Sequence, residues 1–161
     1  MPVSACDEVQ EIAGDVDVMA QPAGDLGERM RATMAALFAA GAPAVALVGA
    51  DVPHIAAETI AAAFAILAAD PDALVLGPAA DGGYYLIAAR RVPDVFTGVE
   101  WGGRRVLAQT ECAALAQRFR VQRLMTLDDV DTAEELRTAA QSGRAPRTAA
   151  WLRTCGADPT R

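Results

Sequence analysis

Three short acidic turns carry the residues of this chain best suited to chemistry. Asp51 lies in Gly49-Ala50-Asp51-Val52-Pro53, and Asp81 lies in Gly77-Pro78-Ala79-Ala80-Asp81-Gly82-Gly83-Tyr84-Tyr85. Asp128, Asp129 and Asp131 share the third, Leu127 to Thr132. The first two turns follow the apolar runs Ala44–Val48 and Ala73–Leu76. Short apolar runs bounded by Gly and Pro read as strands buried on both faces. Ligands of open α/β sheets bind outside the carboxyl ends of such strands. A hard divalent cation there takes one or two carboxylates and completes its shell with substrate phosphates. A carboxylate can also orient or deprotonate a hydroxyl.

Each candidate has a plainer reading beside the chemical one. Asp51 could simply hydrogen-bond its own turn before Pro53. Gly82 and Gly83 let the backbone approach a ligand or adopt positive φ, while Asp-Gly is also a hairpin signal; a tight turn that holds a carboxylate at a site satisfies both. Asp131 with Glu134 fits an N-cap and its capping-box partner. Three acids within four residues nevertheless exceed what a cap requires, and a bound cation would relieve their repulsion. Gly24-Asp25-Leu26-Gly27-Glu28-Arg29-Met30 precedes a helix, whose N-terminus could bind an anion with help from the Arg29 fork. The commoner outcome for such a stretch is a cap with Arg29 facing solvent. Trp101, beside Gly102-Gly103, could stack on a base or sugar or plug the core. His54, the single histidine, reads as a loop residue.

The elements that must position these residues follow from periodicity. Asp15–Ala20 alternates like a short strand. A helix begins near Glu28, with Met30, Met34, Leu37 and Phe38 on one face, and Gly41 ends it. The strand Ala44–Val48 precedes a helix over Ala56–Ala69, with Ile60, Phe64 and Leu67 facing inward. Asp70-Pro71-Asp72 stops it. The strand Ala73–Leu76, the Asp81 turn and the strand Tyr84–Ala89 come next. A helix over Arg104–Phe119, a strand over Val121–Leu127, a helix over Ala133–Ala140 and a short helix over Thr148–Arg153 complete the chain. Strands alternating with helices predict a three-layer α/β/α domain with a mostly parallel sheet. The 161 residues form a single domain, with a core over about 15–140 and a tail over 141–161.

Composition narrows the function. With 53% hydrophobic residues the chain is not of the disordered class. Its longest apolar run, Ile60 to Ala69, falls short of the roughly 20 residues of a membrane helix. The acidic N-terminus lacks the form of a signal peptide. Cys6, Cys112 and Cys155 form neither a disulfide framework nor a zinc pattern, so a reduced, cytoplasmic protein without a membrane partner is expected. A net charge of −7 argues against nucleic-acid binding. All fourteen basic residues are Arg, which removes Schiff-base chemistry and any P-loop lysine. Phosphate contacts must then come from Arg, backbone N–H groups or a metal.

Taken together, Gln21 with Gly24–Met30, Gly49–Pro53, Leu76–Ala79, Asp81–Ile87, Trp101, and Asp129-Val130-Asp131-Thr132 with Glu135-Leu136 resemble one bacterial family. It is that of the radical-SAM/selenodomain-associated transferases, with a nucleotide-diphospho-sugar transferase (glycosyltransferase-A-like) fold. The likeness runs from about Gln21 to Leu136, and the family is similar in turn to the guanylyltransferases of molybdenum-cofactor maturation and to phospholactate guanylyltransferases. The resemblance implies that Asp51, with Asp131, holds Mg2+ or Mn2+ on the nucleotide phosphates. It places Asp81, as the catalytic residue, and Gly82, Gly83 and Tyr84 on the acceptor or sugar side. Gly24, Asp25, Gly27, Arg29 and Trp101 complete the expected substrate-binding set. The family's usual opening strand and basic glycine loop have no counterpart before Gln21, and Gly102-Gly103 replace small hydroxyl residues. The expectation is therefore an N-terminally shortened homologue.

Two functions follow. The first is a metal-dependent transferase acting on a nucleotide or nucleotide-sugar donor and a small-molecule acceptor, by glycosyl or nucleotidyl transfer. The alternative is a non-catalytic, shortened homologue serving as a ligand-binding or oligomerising domain. In that case an exposed sheet edge pairs with another chain, as in a homodimer.

Overall fold

The computed structural model describes residues 6–155. The sheet's centre is β2 (Ala73–Pro78), buried along its whole length, beside β3 (Tyr84–Ala89). Two short strands flank them, β1 (Val45–Val48) outside β3 and β4 (Arg120–Arg123) outside β2, giving the order β1-β3-β2-β4. The continuous apolar runs of β2 and β3 are what burial on both faces demands.

The sheet is mixed, which corrects the mostly parallel expectation. β3 runs antiparallel to both β1 and β2, and only β2 and β4 are parallel. The cause is local. The turn through Ala79–Gly83 is closed by Ala79 N–H to Gly83 O at 3.0 Å and Gly82 N–H to Ala79 O at 3.2 Å. A turn this tight can join only antiparallel neighbours, whereas a parallel crossover needs a dozen or more residues.

Helices cover both faces, giving the three layers expected. Leu74, Leu76, Ile87 and Ala89 pack under α2 (Leu26–Ala39) and α4 (Val106–Ala116), with Met34, Ala114, Val95, Phe96 and Phe119. Ala73, Val75, Leu86 and Ala88 face α3 (Ala57–Ala69) through Ala63 and Leu67. Phe64, expected inward, is 40% exposed instead. On the ~100° helical step it lies about 100° from Ala63 and about 60° from Leu67, at the margin of the inward face.

β2 and β3 slip by one residue near the turn. Gly77 pairs with Leu86 and Pro78 with Tyr84, leaving Tyr85 as a bulge. A bulge interrupts the alternation of faces. Tyr84 therefore joins the Trp101 side of the sheet, and Tyr85 joins Leu86 on the α3 side. The Tyr85 ring lies over Gly77, where a Cβ would collide with it. Its hydroxyl donates to Met125 O at 3.0 Å, fastening the segment after β4 to β3.

The remaining elements depart from expectation at their ends. Asp15–Ala20 forms no strand. It follows a helix, α1 (Cys6–Ala13), which the sequence reading did not anticipate. The Gln10 side chain donates to Gly14 O and Val16 O and accepts from Val18 N–H, holding the segment as a turn. β4 stops at Arg123, and Leu127 rejoins the sheet only through a parallel bridge to Ala79. α5 (Ala133–Gln141) is capped by Thr132 with Glu135, one residue later than the Asp131–Glu134 reading. α6 is Pro146–Thr154. Among the described residues, no helix is long and apolar enough to cross a membrane.

One ion pair ties β4 to the loop after α3. Arg120 donates to both carboxylate oxygens of Asp70 and lies 3.8 Å from Asp72. The Arg120 hydrogen bonds hold the Asp70 carboxyl below its usual range, against a smaller upward pull from desolvation. A depressed carboxyl contributes stability that is present above its unfolded pKa and lost as pH falls through the folded value. Denaturant titrations at stepped pH should therefore show an acid-side loss below about pH 4. Arg120→Gln is expected to make that loss smaller.

Candidate functional site

The three acidic turns converge at one end of the sheet. Asp51 leaves the carboxyl end of β1, Asp81 sits at the tip of the β2–β3 hairpin, and Asp129 lies between Leu127 and α5. Backbone hydrogen bonds lock these loops to one another. Val130 N–H donates to Asp51 O at 2.9 Å, Ala80 N–H to Leu127 O at 3.1 Å, Leu127 N–H to Pro78 O at 3.1 Å and Gly49 N–H to Tyr85 O at 2.8 Å. Asp81 accepts from Gly83 N–H at 2.8 Å, an Asx turn that fixes its carboxylate.

Asp51, Asp81 and Asp129 line one cavity of about 610 Å³ together with Arg29, Gly83, Tyr84 and Trp101. Asp129 is half-buried, and its carboxyl is pushed up first by burial and then by the negative charges of Asp81, Asp131 and Asp51. A backbone hydrogen bond pulls the other way. The site thus holds more negative charge than it neutralises. Among the described residues, no group of three or more His, Cys, Asp or Glu is arranged to hold a metal ion. Any cation here would need part of its shell from a ligand.

Arg29, also in the cavity lining, projects from the first turns of α2. Its Nη1 donates to Gln21 Oε1 at 3.0 Å and its Nε to Asp25 O at 3.3 Å, so the guanidinium is held at the cavity wall. Trp101 packs flat enough on α2 that a Cβ at Gly27 would stand 2.7 Å from the indole ring. Tyr84 meets Trp101 edge-on and Phe96 meets it at a tilt, each with centroids 6.5 Å apart. Trp101 is both a core plug and a cavity wall.

The other expected residues take structural parts. Gly24, Asp25, Gly27, Gly82 and Asp131 lie outside the cavity lining. Asp25 caps α2 in a full capping box with Glu28, each side chain accepting from the other's backbone N–H at 2.8 and 2.9 Å. Gly24, at φ +113, leaves the room that Glu28 needs to fold back. The Asp131 N–H donates to Glu135 at 2.9 Å within the α5 cap. Tyr84 contributes its ring, while its hydroxyl is buried toward Thr110 with no partner at full hydrogen-bond geometry. Burial pushes that phenol well above its usual range, the Thr110 hydroxyl pulling slightly back.

Sequence reasoning passed over Asp129 and Tyr85. Asp129 stood among the three acids of its turn, but an N-cap at Asp131 drew attention one step too far along. Glu135, three residues after Thr132, was the available signal for the true cap. Tyr85 carried no signal, because a bulge cannot be read from alternation.

The fold and its cavity define a transferase-like α/β domain. Residues 3–103 match the bacterial family described as "uncharacterized protein conserved in bacteria (DUF2064)", and the chain belongs to that family. Its fold is also close to a crystal structure from Desulfovibrio desulfuricans G20 described as a "putative nucleotide-diphospho-sugar transferase". The two share 31% identity with a TM-score of 0.85, over 99% of this chain and 72% of that one. No curated protein matches the chain.

Proposed function

We propose that the protein is a transferase acting on a nucleotide-activated substrate, with a sugar or nucleotidyl group passing to a small hydroxyl acceptor. One observation carries this reading: carboxylates from three separate loops converge on a cavity that Arg29 and Trp101 also line. Arg29 suits a phosphate oxygen because its planar fork donates in pairs. Trp101 offers an apolar face to a base or sugar. Within this class, the Gly24–Met30 and Asp81–Ile87 stretches favour the radical-SAM/selenodomain-associated branch.

The donor set suits Mg2+ or Mn2+. Burial first, and then the neighbouring carboxylates, raise the Asp129 carboxyl, and a hard cation needs only one or two carboxylates when phosphates supply the rest. In this reading Asp51 and the Asp129–Asp131 turn hold the ion, with Asp129 the carboxylate on the cavity side. When bound, such an ion neutralises charge on the phosphate leaving group. Asp81, oriented by Gly83, faces the acceptor and would take its hydroxyl proton.

Calorimetry with nucleotides and nucleotide-sugars, with and without Mn2+, tests the proposal. Binding that strengthens with the ion is the expected result. An absence of binding by every nucleotide tried would overturn it and favour the non-catalytic alternative.

A further inference from the structure

The polar side chains of the cavity differ in kind. Asp51, Asp81 and Asp129 bring carboxylates, which accept hydrogen bonds, whereas Gln21 and Arg29 stand together beside the first turn of α2. Trp101 reaches that turn as well, because its indole lies against Gly27. The Gln21 amide has a fixed sense there. Arg29 Nη1 donates to Gln21 Oε1 at 3.0 Å. A guanidinium offers donors only, so the atom facing it must be the carbonyl oxygen, and the amide cannot be turned over. Nε2 points away from Arg29 with two N–H groups, which no acceptor among the described residues engages. Arg29 is itself held through Nε by Asp25 O at 3.3 Å, so the pair is anchored to the N-cap of α2. What Gln21 and Arg29 present to a ligand is therefore N–H groups.

We propose that Gln21 is a specificity-determining residue. It selects nucleobases that carry a keto group on the edge it meets, as guanine and uracil do, over the amino bases adenine and cytosine. The proposal rests on the transferase reading above, and within it assigns the base to the face of Trp101.

A base stacked on Trp101 lies beside the turn that carries Gln21 and Arg29. The keto oxygen of guanine or uracil accepts from Nε2. The amino group of adenine or cytosine meets donors there, and a donor facing a donor leaves both without a partner. A glutamine with its whole amide available reads adenine through oxygen and nitrogen together. Here Arg29 turns that oxygen to itself, which removes the adenine mode. Arg29 keeps further N–H groups for a phosphate, so holding Gln21 and binding the donor's phosphates do not compete.

Calorimetry with GDP, UDP, ADP and CDP in the presence of Mn2+ is the test. The wild type should bind GDP and UDP about tenfold more tightly than ADP and CDP. Gln21→Glu keeps its bond to Arg29 as an ion pair and sets an accepting oxygen where Nε2 stood. It should reverse the preference, whatever its added charge does to the four affinities together. Gln21→Leu removes donor and acceptor alike and should bring the four within about twofold of one another. A part limited to holding Arg29 would weaken all four equally, so a ratio unchanged in both folded variants overturns the proposal. A wild type that binds the four alike, or favours the amino bases, overturns it too and leaves the transferase reading standing. Binding by none of the four overturns both. Gln21 is an exposed loop residue, so both variants should fold and melt close to the wild type. Should one fail to fold, the other and the wild-type ratio decide the matter.

Discussion

Asp51→Asn is expected to abolish the cation-dependent rise in melting temperature with a nucleotide ligand, while leaving the ligand-free protein at least as stable as the wild type. Asp51 is exposed, makes no side-chain hydrogen bond among the described residues, and adds the smallest of three charge contributions to an Asp129 carboxyl raised chiefly by burial. Its removal relieves a charge conflict instead of breaking a contact. A carboxyl whose folded pKa is raised stabilises the fold while protonated and loses that contribution as pH rises through the raised value. Neutralising a neighbour such as Asp51 therefore moves stability upward near pH 7. With ligand at about a hundred times its dissociation constant, the wild type should gain about 2.7 kcal/mol. For a chain of this size that is roughly 5–11 °C in Tm. Asp51→Asn should show almost none of it. Asp129→Asn should behave alike, whereas Asp128→Asn, altering an exposed residue outside the cavity lining, should not. Equal ligand-induced shifts in all three variants would remove Asp51 and Asp129 from the site.

The largest loss of stability is expected from Gly82→Ala. Gly82 holds φ at +98, a conformation that side chains rarely adopt, and an added Cβ would run into the backbone carbonyl of Arg104. That neighbour is main chain and cannot swing aside. It is also tethered, because Leu107 N–H donates to Gly82 O at 2.9 Å and so docks the start of α4 on the hairpin. Backbone strain of about 1–3 kcal/mol and overpacking of about 1–3 kcal/mol add to roughly 2–6 kcal/mol. Tm should fall by roughly 4–24 °C. Gly102 is the control. Its φ is +80 but nothing lies within 4 Å of an added Cβ, so Gly102→Ala should cost only about 1 kcal/mol. Chemical denaturation of the two variants side by side distinguishes a collision at Gly82 from a general cost of losing glycine. Similar losses in both would mean that the contact with Arg104 carries little.

What was legible in the sequence was whatever depends on a few neighbouring residues. The apolar runs at Ala44–Val48 and Ala73–Leu76, the helical face through Met34, and the Asp-Gly hairpin all announce themselves locally, because burial and turn geometry select residue types at fixed spacing. The carboxylates at strand ends followed from the same reasoning. The hairpin signal already contained the correction to the sheet, since two strands joined by so short a turn must be antiparallel. Reading alternating strands and helices as crossovers set that signal aside. The ends of α2 and α5 were displaced by two or three residues at most, because capping residues such as Asp25 and Asp131 compete with their neighbours for one role.

The chain's own residues determined three layers, the burial of β2 and β3, and three acidic turns at the ends of elements. Tertiary structure alone decided which of those acids meet. The Val130 to Asp51 bond and the Tyr85 to Met125 bond join residues far apart in sequence, and no local pattern encodes such a pairing. The bulge at Tyr85 set which tyrosine faces Trp101, because one extra residue reverses every side chain before it. Tertiary structure also sets Asp129 in the cavity lining with Asp51 and Asp81, while Asp131 lies outside it beside the cap of α5.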